Sequence, residues 1–261
     1  MSFLAVVIQL TLKHPAKLAR PLVINAAHLP VLATFYAEQP ETGSILQELQ
    51  QKNTFIPGTI QIEKSSILVR MSFLGCNSVN LASRVISELS QIQSFEINQG
   101  VWAIQEISMT EKDWAGISSW ADLAGTIKGD KLKFSFKTPA VFEKKAIADN
   151  KPSLIYPQAK VLFSDLLESW QSLGGPQLHP QISNYLETNN CLTSKYKLET
   201  IEYQLPNFNQ KGFTGNIDYI CRKSDKEYLP SLTALTRLAF FRGVGSYTSF
   251  GMGMTKVQFS E

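Results

Sequence analysis

Between a helix-like stretch, Leu229 to Phe241, and a strand-like tail near Met254 to Phe259 runs Gly243-Val244-Gly245-Ser246-Tyr247-Thr248-Ser249-Phe250-Gly251-Met252-Gly253-Met254, four glycines in two Gly-x-Gly pairs. A backbone without Cβ atoms reaches positive φ and tolerates close approaches that other residues resist. It suits a helix-to-strand turn, and it equally suits a phosphate chain, to which it offers consecutive N–H donors. Both uses stay open on the residues alone. A Walker loop is excluded, because no Lys-Ser or Lys-Thr pair follows a Gly-x-x-x-x-Gly. A Rossmann fingerprint is excluded too, since here the helix comes before the glycines and the strand after them.

The 261 residues suffice for two compact domains of roughly 100–150 residues each. Leu235 to Phe241, the most apolar run, is broken by Thr236 and Arg237 and is far short of the roughly 18 residues of a membrane helix. Met1 to Leu12 lacks a basic leader and reads as a strand, so a cytoplasmic protein with no membrane partner is expected. Cys76, Cys191 and Cys221 are odd in number and far apart, and His14, His28 and His179 have no ligand spacing, so neither a metal nor another cofactor is expected. A net charge of +3 allows a nucleic-acid partner only through a local basic face.

Phe3 to Leu12 is rich in Val, Ile and Leu and predicts a strand. His28 stands at or just before a helix start, with Pro30 tolerated in the first turn and Val31, Leu32, Phe35 and Tyr36 forming an apolar face. Thr42 to Gln51 predicts a second helix, Gly58 to Glu63 and Ile67 to Leu74 strands, Asn77 to Gln91 an amphipathic helix, and Val101 to Met109 a strand. Beyond a boundary near Gly125 to Gly129, Lys131 to Phe136 alternates as a half-buried strand, and Ala159 to Leu173 is a helix stopped by Gly174-Gly175. Strands at Tyr196 to Gln204 and Phe213 to Cys221, the Leu229 to Phe241 helix and the closing strand complete the second half. The fold class is therefore α+β: two tandem ferredoxin-like (RRM-like) domains with antiparallel sheets, spanning 1–126 and 127–261.

Gly212-Phe213-Thr214-Gly215 with its strand, Leu238-Ala239-Phe240-Phe241, and the glycine segment together resemble the C-terminal half of the CRISPR-associated endoribonucleases that process precursor CRISPR RNA, members of the RAMP superfamily. Thr138-Pro139-Ala140-Val141-Phe142 with the helix to Trp170, His28-Leu29-Pro30-Val31-Leu32 with Ser44 to Leu49, and Ile67 to Met71 with the helix at Leu81 to Leu89 extend the resemblance over almost the whole chain. Only the glycine segment is specific by itself. The resemblance implies cleavage of repeat RNA by its own 2′-OH, leaving 2′,3′-cyclic phosphate and 5′-OH ends without metal. It also implies CRISPR repeat RNA as partner, leaves room for other CRISPR effector subunits, and allows either a monomer or a homodimer. The alternative is a non-catalytic RAMP subunit that binds repeat RNA and scaffolds an effector complex.

That chemistry needs a proton-transfer group working near pH 7, for which a histidine is suited, and a cation or donor for the anionic phosphorane. With the resemblance, His28 is the candidate general acid or base. Without it, a packed histidine at a helix entry would be the preferred reading. Many relatives carry a second histidine in the next helix, where Leu46-Gln47-Glu48 places a glutamine. Lys52 is the candidate cation and Tyr36 the candidate orienting group, each more often a solvated lysine or a core-edge aromatic. His14 sits with Lys13, Lys17 and Arg20 in a basic stretch expected to rim the RNA, while His179 reads as structural. Arg237 and Arg242 flank the glycine segment, either against RNA or paired with acidic neighbours. Lys144 and Lys145, with Gly243, Gly245, Ser246, Tyr247, Gly251 and Gly253, complete the expected RNA face, and Tyr247 and Phe250 are the stacking candidates.

Overall fold

The structure, a computed structural model, describes residues 2–14, 27–97, 100–110, 114–125, 129–143, 153–188, 191–204 and 209–260. The aliphatic start forms β1 (Phe3–His14), followed by α1 (His28–Glu38), α2 (Pro40–Gln51), β2 (Phe55–Ile62), β3 (Ser66–Leu74), α3 (Cys76–Gln91), β4 (Phe95–Ile97), β5 (Gly100–Ser108) and β6 (Gly116–Ser118). Then come α4 (Trp120–Leu123), β7 (Lys131–Ala140), β8 (Phe142–Glu143), β9 (Ser153–Leu154), α5 (Ala159–Ser172), α6 (Ile182–Glu187), β10 (Cys191–Gln204), β11 (Asn209–Cys221), α7 (Leu229–Arg242) and β12 (Thr255–Ser260).

The chain divides into two compact units. The first lies within Met1–Ser118, Gln204–Phe208 and Ser249–Gly251, the second within Ser119–Tyr203, Asn209–Thr248 and Met252–Glu261. The division falls earlier than the expected 126/127. The Asp122, Leu123 and Gly125 carbonyls closing α4 accept hydrogen bonds from Arg237 of α7, which ties that turn to the second unit.

In the first unit the sheet order is β2-β3-β1-β5-β4, with β6 on β1. Its pairings are antiparallel, giving the ferredoxin-like arrangement in which β1 and β3, separated in the chain by β2, become central neighbours. Ile8, Val69, Phe73, Val85, Phe35 and Trp102 fill the core against the helices. The expected strand starts at Gly58. The observed strand begins at Phe55, and Pro57 is tolerated because β2 is a sheet edge.

In the second unit the order β10-β11-β7-β12 repeats the same topology. Phe134 meets Phe163 of α5 edge-on at 5.9 Å between centroids, so the alternation of β7 serves to bury one face under that helix. Among the described residues no helix is long and apolar enough to cross a membrane.

Candidate functional site

His28 is the first residue of α1, and the preceding Ala27 supplies no side-chain cap. The missing cap comes from another element: Thr59 Oγ1 on β2 accepts the His28 backbone N–H at 2.9 Å. The same hydroxyl lies 3.0 Å from His28 Nδ1, so one threonine fixes both the helix end and the imidazole plane. The ring is fully buried. Its other nitrogen, Nε2, is also buried and makes no hydrogen bond. Burial lowers the His28 pKa to about 3, with the Phe250 backbone as the smaller, opposing influence, and the imidazole is neutral at ordinary pH.

The ring edge abuts Gly251. A Cβ at that position would stand 2.7 Å from His28 Cε1 and 3.1 Å from Gly58 Cα, and φ there is +84°. Beside it, Gln50 Nε2 donates to the Ser249 carbonyl at 2.5 Å while its Oε1 accepts from the Tyr36 hydroxyl at 3.3 Å. Tyr36 reaches that position because Gly43 has no side chain: a Cβ there would meet Tyr36 Cδ1 at 2.9 Å. Burial pushes the Tyr36 phenol up to about 12. Tyr36, an expected orienting group, thus holds Gln50, and Gln50 holds the backbone next to the histidine. Thr59 and Gln50 were not anticipated. Neither carries a local signal, since their partners lie on other elements.

Lys52, at the end of α2, pairs with Glu48 at 2.5 Å with both side chains more than half exposed. Arg20, Lys144 and Lys145 lie outside the described residues, as does the side chain of His14.

The glycine segment holds a different kind of order. The Val244 N–H donates to Gly253, Ser246 N–H to Val141, Gly253 N–H to Pro139 and Gly243 N–H to Ala239, all at 2.8–2.9 Å. The Gly245 N–H goes to the Asp165 carboxylate at 2.9 Å and the Met254 N–H to Thr138 Oγ1 at 2.8 Å. These donors, expected to cradle a phosphate, are already occupied. The glycines serve close backbone packing instead: a Cβ on Gly253 would lie 2.0 Å from the Val244 oxygen, and one on Gly245 2.4 Å from the Val141 oxygen. All four glycines have positive φ.

The flanking side chains are engaged as well. Arg242 forms a two-pronged pair with Asp165, its Nη2 at 3.0 Å, and Arg237 caps α4 with its guanidinium over Phe259. Ser246 Oγ accepts from the Glu143 N–H at 3.2 Å. The Tyr247 hydroxyl donates to the Glu143 carboxylate, and burial pushes that phenol up to about 12. A cavity of about 480 Å³ beside the segment is lined by Glu143, Asp165, Glu168 and Glu187 against Lys160, a charge balance that repels phosphate.

Two ferredoxin-like units, with a glycine segment leading into the last strand of the second, define the fold. The comparisons carry this further. Residues 134–255, from β7 to the start of β12, match the family of the CRISPR-associated endoribonuclease Cas6. Over that stretch the chain is similar in sequence to Cas6. A Cas6 (TTHB231) product complex superposes with a TM-score of 0.80 at 23% identity, over 98% of this chain and 100% of that one. Thermus thermophilus Cas6 (TTHB231) gives 0.79 at 22% identity, over 98% of each chain. A Cas6 (TTHA0078) substrate mimic complex gives 0.75 at 21%, over 99% of this chain and all of that one. No curated protein matches the chain in sequence.

Proposed function

We propose that the protein is an endoribonuclease that cuts repeat RNA within precursor CRISPR transcripts, with His28 as the proton-transfer group. The observation that carries the reading is the family match over 134–255; the similar Cas6 structures include product and substrate-mimic complexes, which agrees with an RNA substrate. His28 fits the chemistry in a specific way. When Nδ1–H donates to Thr59, Nε2 keeps its lone pair for a substrate hydroxyl. The 2′-oxygen attacks the adjacent phosphorus as its proton passes to Nε2. The P–O5′ bond then breaks, and the leaving oxygen takes the proton from Nε2–H, which restores the neutral imidazole and gives the cyclic phosphate and a 5′-OH.

Burial disfavours imidazolium in the free protein, and the negative phosphorane is what offsets that penalty in the complex. Substrate reaches Nε2 only if the Phe250–Gly251 backbone shifts, and the Gln50 bond to Ser249 sets how readily it does. Lys52, tied only to an exposed glutamate, is free to swing toward the phosphorane. Tyr36 acts through Gln50.

Incubating the protein with repeat RNA in EDTA tests this reading. A discrete cut with a cyclic-phosphate end, lost in His28→Gln, is expected; a cut that survives in His28→Gln at the wild-type rate removes His28 from the mechanism. The burial of His28 favours a second reading, a non-catalytic subunit that binds repeat RNA within an effector complex. That reading predicts a gel shift with no product.

A further inference from the structure

β10 is the longest strand of the molecule among the described residues and forms one edge of its sheet. Natural edges are usually short, covered or broken, because a free row of N–H and C=O groups invites another strand. The other edges follow that rule: β2 is buried over most of its length, β4 has 3 residues and β12 has 6. β10 has 14 residues, of which only Cys191 and Tyr203 are buried. Most of both faces is exposed, and they carry apolar side chains, with Tyr196 60% exposed although it meets Tyr156 edge-on, and with Leu192 and Ile201 also exposed.

We propose that β10 is the interface for a second copy of this chain, joining two β10 strands antiparallel about a two-fold axis through Leu198. The charge pattern selects this occupant. An axis perpendicular to the sheet preserves its two faces, so a residue can sit opposite only a residue of its own parity along the strand. Centred on Leu198, the pairing sets Lys197 opposite Glu199 of the second copy, twice by symmetry. It also sets Tyr196 opposite Thr200 and Lys195 opposite Ile201. Moving the centre to Lys197 puts that lysine against itself, moving it to Glu199 puts two carboxylates together, and moving it to Tyr196 opposes Lys195 to Lys197.

Opposite charges across a strand pair stabilise it, and like charges destabilise it by a similar amount. The lysines therefore act against a generic strand but are neutralised in self-pairing at this one register. The aromatic and aliphatic side chains gain cover on both faces. This surface is independent of the RNA reading, because none of its residues is assigned to cleavage or RNA contact.

Sedimentation equilibrium of the full chain, from about 1 to about 200 μM, tests the proposal. Wild type is expected to dimerise. Lys197→Glu, which creates two Glu–Glu oppositions, is expected to weaken the dimer by about tenfold or more. The charge-swapped double variant, Lys197→Glu with Glu199→Lys, is expected to restore it. Both positions are exposed, so the variants should keep the wild-type melting temperature, and circular dichroism checks this. A wild type that stays monomeric throughout, or a dimer indifferent to Lys197→Glu, overturns the interface. Failure of the double swap to rescue overturns the register.

Discussion

In the glycine segment each backbone N–H from Gly243 to Ser246 has a partner, whereas at His28 a ring nitrogen buried just as deeply has none. The first region is saturated, so its glycines stabilise the fold of the second unit. The second is incompletely satisfied, and a buried polar atom left without a partner costs roughly 1–3 kcal/mol, a penalty more readily kept where the atom has work to do. The glycines that dominate the sequence lie largely in saturated backbone packing, while the histidine proposed as the proton-transfer group is held by a threonine on another element.

The comparison breaks most directly at the histidine. His28→Gln is expected to lower cleavage by about 10²–10⁴-fold while repeat-RNA affinity changes little, as read from single-turnover rates and filter binding. Should RNA affinity collapse in step with the rate, His28 belongs to the binding surface and the contrast disappears.

The reverse outcome is expected at Gly253→Ala. Its Cβ would collide with the Val244 oxygen at a φ of +68°, so unfolding in urea should show a loss of about 2–4 kcal/mol. A variant as stable as wild type that has lost RNA binding would return the segment to its role as a phosphate cradle.

Acid provides a third probe. His28 titrates near 3 when folded against 6.5 ordinarily, so the unfolded chain binds the extra proton in that window. Stability is fully present above about 6.5 and falls with pH below it, by up to roughly 1.4 kcal/mol per unit. Denaturation curves at pH 7 and pH 5 should therefore differ by up to about 2 kcal/mol in wild type, and by clearly less in His28→Gln. An equal difference in both would place the acid sensitivity elsewhere.

Asp165→Ala should cost about 1–2 kcal/mol, because it strands Arg242 and the Gly245 N–H together in a partly exposed site. No change in the melting curve would mean the segment does not depend on that carboxylate. Lys52→Ala has the smallest structural effect, within about 0.5 kcal/mol, since its ion pair is exposed. A cleavage rate equal to wild type in that variant removes Lys52 from the chemistry.

The order of the main strands and helices was legible in the sequence, including the start of α1 at His28, the Gly174-Gly175 stop after α5 and the turn preceding β12. The short pieces β4, β6, β8, β9, α4 and α6 were not, because segments of two to six residues carry too little periodicity to register. Arg237 and Arg242 illustrate a different gap. Their charge and position are visible in the sequence, but Asp165 and the closing carbonyls of α4, which occupy them, lie 77 and about 115 residues away along the chain.

The sequence by itself determined where the backbone must turn, which faces are apolar, that no local motif binds a nucleotide, and that a positive-φ segment separates the last helix from the last strand. These are short-range properties, set by side-chain volume, branching and the absence of Cβ atoms. Tertiary structure alone decided that the Gly243, Gly245 and Gly253 donors are occupied, that Thr59 supplies the cap and the imidazole clamp at His28, and that the imidazole is buried and neutral. Hydrogen-bond saturation and desolvation depend on which groups meet across elements, and no local pattern of residues encodes those meetings.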